Sequence, residues 1–83
     1  MFWFLNRRVY ESVMSGKADS NIKYAEFSNL VVDLGFKFER QRGSHAIYYH
    51  SGINEFINIQ PDGNKAKGYQ VRQLRGIITT HGL

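Results

Sequence analysis

The apolar residues of this chain change their period at Gly35, and that change excludes an all-helical or an all-strand fold. Before it, Tyr24, Phe27, Leu30, Val31 and Leu34 follow at spacings that place them on one face of a helix. Gly35 comes directly after, where a helix stops because glycine takes the left-handed backbone without steric cost. Beyond it, Phe36 and Phe38 alternate with Lys37 and Glu39, the period of a half-buried strand. The spacing therefore predicts a helix over residues 24–34 that hands over at once to strands.

Gly43 and a turn over residues 51–54 divide the next segment into strands at 36–39, 44–50 and 55–60, with Ile57 and Ile59 on one face. Their short connections imply an antiparallel meander. Residues 61–68 read as a loop, and residues 69–80 as a helix burying Val71, Leu74 and Ile78 with Ile77 beside them, ended by Gly82. Upstream, residues 6–14 can form a helix burying Val9, Tyr10, Val13 and Met14, followed by a spacer of turn formers over 15–21. The expected class is α+β: a double-stranded-RNA-binding-domain-like α-β-β-β-α sandwich with an extra N-terminal helix. Phe36, Phe38 and Ile57 would lie under the two longer helices, leaving the other sheet face open. Residues 1–83 read as a single domain, with 1–21 as N-terminal helix and connector and 22–83 as the core. Such a fold by itself does not establish function.

A chain of 83 residues buries only about 60% of its unfolded surface, so a compact core or a partner must stabilise it. With no cysteine, neither a disulfide nor a thiolate metal site can help; this suits a cytoplasmic location, which is the expected one. The run Met1-Phe2-Trp3-Phe4-Leu5 is apolar but far short of the roughly 18 residues of a membrane span. It lacks the basic region and cleavage site of a signal peptide, so it is expected to pack on the domain or on a partner, with no membrane involved.

The net charge of +4 is unevenly placed. Residues 1–34 carry four basic and four acidic side chains; residues 35–83 carry seven basic against three acidic. A basic half beside a neutral half suggests a polyanion partner.

The histidines, His45, His50 and His81, stand in different contexts without zinc-site spacing, and no Gly-Lys-Ser/Thr phosphate loop occurs. No metal or other cofactor is expected. Strand alternation puts Ser44, Ala46, Tyr48 and His50 on the core face and His45, Ile47 and Tyr49 on the open face, with Ile47 partly exposed. A bulge at Gly43 would shift this register. An imidazole titrates near neutrality, at about 6.5 when unperturbed. One histidine beside clustered cations suffices to cleave RNA through the substrate's own 2′-hydroxyl, since the RNA supplies the nucleophile. The cations are at hand: Arg40 and Arg42 precede His45, Lys65 and Lys67 precede the last helix, and Arg72 and Arg75 share a face of it. From the residues alone three functions stay open. They are an RNA-cleaving enzyme using His45, a non-catalytic RNA-binding module, and an interaction protein presenting Ile47, Tyr49 and Phe56.

Four segments resemble the HicA family, the small toxins of HicA–HicB toxin–antitoxin pairs. Leu30-Val31-Val32-Asp33-Leu34-Gly35-Phe36 is similar to the family's first helix and its leucine-glycine turn. Arg42-Gly43-Ser44-His45 resembles its Gly-Ser-His signature, and Gln60-Pro61 the end of its third strand. Residues 67–75 resemble its final lysine–glycine–helix segment. The resemblance spans about residues 22–83. It implies a metal-independent ribonuclease that cleaves messenger RNA and stops translation. It also implies a HicB-like antitoxin that covers the active histidine, with a heterotetramer or larger complex as a compatible assembly. His45 falls at the catalytic position, and Gly43 and Ser44 complete the motif. The chain departs from many members in having Asp62-Gly63-Asn64, without histidine, after the third-strand proline, and in its longer N-terminal segment.

Overall fold

The structure, a computed structural model, describes residues 6–83. The Met1–Leu5 run, whose packing the sequence predicts, lies outside the described residues.

Helix α1 spans Arg7–Ser15. Asn6 caps it, its side-chain oxygen accepting from the Val9 amide, and Gly16 ends it in the left-handed conformation. Val9 and Val13 are buried, while Tyr10 and Met14 pack at the margin of the same core. Helix α2 spans Tyr24–Asp33 and buries Phe27, Leu30 and Val31. It ends in a Schellman motif: the Gly35 amide donates to the Val32 carbonyl and the Phe36 amide to the Val31 carbonyl. The fold requires glycine at this joint. Gly35 has φ +108°, and a Cβ there would lie 2.6 Å from Nε2 of His50.

Strands β1 (Lys37–Arg42), β2 (His45–His50) and β3 (Glu55–Ile59) form an antiparallel sheet in that order. With α2 before the sheet and α3 (Gly68–His81) after it, the chain has the expected α-β-β-β-α order preceded by an extra helix. The segment expected as a loop before α3 instead holds a two-stranded hairpin, β4 (Pro61–Asp62) with β5 (Lys65–Ala66), turned at Gly63 with φ +64°. This hairpin holds the start of α2: the Tyr24 amide donates to the Asn64 carbonyl and the Ala66 amide to the Ile22 carbonyl.

One apolar cluster joins Val9 and Val13 of α1, Phe27, Leu30 and Val31 of α2, Ile57 and Ile59 of β3, and Val71, Leu74 and Ile78 of α3. Phe36 is buried as expected, but Phe38 is 55% exposed. The reason is β1 itself. It is an edge strand exposed along its whole length, and the helices do not reach over it. The Phe38 ring stands edge-on to Tyr48, with centroids 5.7 Å apart.

His50 is a structural residue. Its Nδ1 accepts from the Gly52 amide, which leaves Nε2 to donate to the Leu34 carbonyl at 3.0 Å. One imidazole thereby ties the end of α2 to the turn after β2, with Phe36 edge-on to it at 5.1 Å. Gly35→Ala should destabilise the chain by about 2 kcal/mol or more, through the positive φ and the approach to His50. Urea unfolding of this variant, of His50→Ala and of the pair would show non-additive losses. Strict additivity would mean that the imidazole does not constrain residue 35.

Candidate functional site

Side chains of residues directly opposite in an antiparallel pair share a face. Arg42 lies opposite His45, Arg40 opposite Ile47 and Lys37 opposite Tyr49. Across the other pairing, Ile47 lies opposite Asn58 and Tyr49 opposite Phe56. These residues form the sheet face turned away from the core, while Ala46, Tyr48, Ile57 and Ile59 share the core face. The register between β1 and β2 shifts between Phe38 and Arg40. Simple alternation from Phe38 would send Arg40 and Arg42 to the core side. The bulge at Glu39 reverses that and brings both arginines to the face of His45. The bulge thus lies within β1 and not at Gly43.

Gly43 and Ser44 are the two residues of the β1–β2 turn. Gly43 has φ +59° and Ser44 a negative φ, the pattern of a type II′ hairpin turn, which needs glycine first and matches the strand twist. Ser44 is therefore an exposed turn residue. The core-face position expected for it is incorrect, because β2 begins at His45. Ile47 also differs from expectation: it is 5% exposed although it lies on the open face. Beside it the Tyr49 and Phe56 rings meet tilted at 37°, with centroids 4.5 Å apart, and the Tyr49 hydroxyl donates to Asn54 Oδ1 at 2.8 Å.

His45 sits where two depressions meet. One, of about 570 Å³, is lined by Arg42, Gly43, His45, Ile47 and Asn58. The other, of about 370 Å³, is lined by His45, Phe56, Asn58, Tyr69, Gln70 and Gln73. His45 and Asn58 belong to both, so the cleft runs from the hairpin turn past the imidazole to the first turns of α3. Nδ1 of His45 is buried and has no hydrogen-bond partner among the described residues. A buried polar atom left without any partner costs about 1–3 kcal/mol, a cost that an ordered water or a bound group in the cleft would offset.

The basic residues separate into two groups. Arg42 lines the cleft, and Arg40 is on the same face one position along. Arg72 is exposed on α3, and Lys67 is the partly buried N-cap residue of that helix. Lys65 points instead to the connector after α1, with Nζ 2.7 Å from Asn21 Oδ1. Arg75 is turned toward α1: it donates to both oxygens of Asp19, at 2.9 and 3.0 Å, and to the Val13 carbonyl at 2.8 Å. Arg72 and Arg75, expected to act together, therefore have different surroundings. Among the described residues, no three histidine, cysteine or acidic side chains converge as a metal site would require.

Asn58, Tyr69, Gln70 and Gln73 line the cleft without having been singled out from the sequence. Alternation carried a signal for Asn58, since it stands between the inward residues Ile57 and Ile59. The three α3 residues fall inside the 67–75 segment that resembles the family, but only the packing of α3 beside β3 brings them to the cleft. Gln70 has a clear structural role. It is 2% exposed, and its Oε1 accepts from the Gln60 amide at 3.0 Å where β3 ends.

The chain is thus a small α+β protein whose exposed sheet face holds a histidine opposite an arginine, in a cleft that reaches its last helix. Residues 24–83 match the family described as HicA toxin of bacterial toxin–antitoxin, and the chain belongs to that family. Membership makes it the toxin half of a toxin–antitoxin pair, with an antitoxin as its counterpart. No curated protein and no solved structure matches the chain.

The Asp19–Arg75 pair gives a prediction for stability. The hydrogen bonds from Arg75 hold the Asp19 carboxyl below its usual range, outweighing the opposite effect of burial. A carboxyl lowered in the folded state contributes stability that is complete above its unfolded value, near 3.9, and is lost as pH falls through the folded value. Asp19→Asn should therefore lower the urea midpoint at neutral pH, and its curve should approach the parent's as the pH falls below the ordinary carboxylate range. Midpoints that stay parallel throughout would contradict the pairing.

Proposed function

We propose that this toxin is an endoribonuclease that cleaves messenger RNA with His45 as its proton-transfer group and without a metal ion. The observation that carries the reading is the pairing of His45 with Arg42 across the β1–β2 register, on the open face and within one cleft. The substrate's 2′-oxygen attacks the adjacent phosphorus, the 5′-oxygen leaves, and a 2′,3′-cyclic phosphate and a 5′-hydroxyl result. His45 either accepts the proton of the 2′-hydroxyl or supplies one to the leaving oxygen, through the ring nitrogen not enclosed by the fold. Arg42, with Arg40 beside it, stabilises charge on the phosphate oxygens. Lys67 and Arg72 extend the grip on the backbone, whereas Lys65 and Arg75 are held by Asn21 and Asp19.

Gly43 and Ser44 serve this site as the turn that starts β2 at His45. The antitoxin, in this reading a HicB-like protein, neutralises the toxin by covering the His45 face. No step needs a second histidine, so Asp62-Gly63-Asn64 after β3 is compatible with the chemistry.

His45→Ala should slow cleavage of a single-stranded RNA by roughly 100- to 10,000-fold in a variant that circular dichroism shows to be folded. Cleavage by the parent should persist in EDTA. Equal rates for parent and variant would remove His45 from the mechanism. The cations give a separate test: Arg42→Ala should lower the slope of log affinity against log salt by about 0.7 on single-stranded RNA. An unchanged slope would mean that Arg42 meets no phosphate.

A further inference from the structure

The α3 end of the cleft differs chemically from the end beside Arg42. Its lining beyond His45 comprises the rings of Phe56 and Tyr69 and the amides of Asn58, Gln70 and Gln73. None of these is a cation. Arg75, on the same helix, is occupied by Asp19, and Arg72 lies outside the lining. A surface built to follow a phosphate backbone, or to read a duplex by shape, would place lysine and arginine here.

Both rings are open to solvent: Phe56 is 50% exposed and Tyr69 is 53% exposed. Gln70 is committed to the Gln60 backbone, but Asn58 and Gln73 make no side-chain hydrogen bond among the described residues. Each of these two amides offers a carbonyl acceptor and an NH₂ donor. Exposed aromatic faces beside free amides suit an unpaired nucleobase, which stacks on its π-face and is read along its edge. The volume, about 370 Å³, is within the range of small-molecule sites. His45, with its unpartnered buried Nδ1, forms the wall between this end and the arginine end.

We propose that the α3 end of the cleft is a subsite for one unpaired RNA base next to the scissile phosphate, stacked against Phe56 or Tyr69 and read by Asn58 and Gln73. This rests on the ribonuclease reading and adds a substrate form and a source of selectivity to it. The enzyme acts on single-stranded RNA, and its preference at one position beside the cut comes from two amides. A fold of double-stranded-RNA-binding type is thus used here without duplex recognition.

The test uses the purified full chain and fluorescent 2′-O-methyl RNA hexamers. These cannot react through a 2′-hydroxyl, so binding is read independently of cleavage. The parent should bind the single strand more tightly than the same sequence in a duplex. Tyr69→Ala should weaken single-strand binding roughly 5- to 150-fold, and Tyr69→Phe should retain most of it. Asn58→Ala and Gln73→Ala should level the differences among hexamers that vary at one base, with overall affinity less affected. Circular dichroism and urea midpoints confirm that each variant is folded.

Two results would overturn the subsite: parent affinity in folded Tyr69→Ala, or a duplex bound as tightly as the single strand. In the first case, loss of antitoxin binding by the same variant would mark the rings as a protein interface instead. The ribonuclease reading fails separately. If His45→Ala cuts unmodified RNA at the parent rate while Tyr69→Ala still loses hexamer binding, the subsite stands and the catalytic assignment falls.

Discussion

One additional residue in an edge strand decides which side of the sheet carries charge. The shift between Phe38 and Arg40 reverses the alternation of β1, so Lys37, Arg40 and Arg42 all lie on the face of His45. Without it, Phe38, Arg40 and Arg42 would share a side, and two guanidinium groups would border the apolar cluster. A bulge also bends and twists an edge strand, which discourages pairing with a further strand. The same device therefore assembles the site and protects an edge exposed along its whole length.

The joints around the sheet hold this face in place. His50 bonds the end of α2 to the turn after β2, and Gly35 leaves room for it. Gln70 bonds the start of α3 to the end of β3. The Asp19–Arg75 pair fastens the connector between α1 and α2 to α3, and the Tyr10 hydroxyl donates to the Leu83 carbonyl at the other end of that helix. A domain of this size has little core to spare, and these polar ties join elements distant in sequence. Two of the cations that sequence alone offers as ligands also take part in these ties: Arg75 through Asp19 and the Val13 carbonyl, and Lys65 through its surface bond to Asn21.

Local pattern made the larger part of the fold legible. The stripe from Tyr24 to Leu34, the stop at Gly35 and the alternation around Ile57 and Ile59 predict elements that the structure contains. The open-face position of His45 was also readable from strand parity. The features that were not legible depend on contacts between segments. Phe38 has the period of a core residue and is exposed because none of the described helices covers β1. Ser44 has a small side chain suited to the core and lies in the turn because β2 starts one residue later. Tyr69 and Gln73 look like ordinary positions on a helix until α3 is seen beside β3. The Gly-Ser-His motif brought the histidine into view, whereas Tyr69, Gln70 and Gln73, though inside the 67–75 segment, reach its cleft only through the packing of α3 beside β3.

Family membership establishes a toxin with an antitoxin counterpart; the chemistry proposed for it depends on a phosphate held between Arg42 and His45. The termini left on the RNA report that chemistry most directly. Mass spectrometry of a short defined RNA, incubated with the purified chain, should find 2′,3′-cyclic phosphate on the upstream fragment and 5′-hydroxyl on the downstream one. A substrate with a single 2′-deoxy sugar at the cut should stay intact at that bond. Fragments ending in 3′-hydroxyl and 5′-phosphate, or full cleavage of the deoxy substrate, would contradict attack by the 2′-oxygen and the role given to His45.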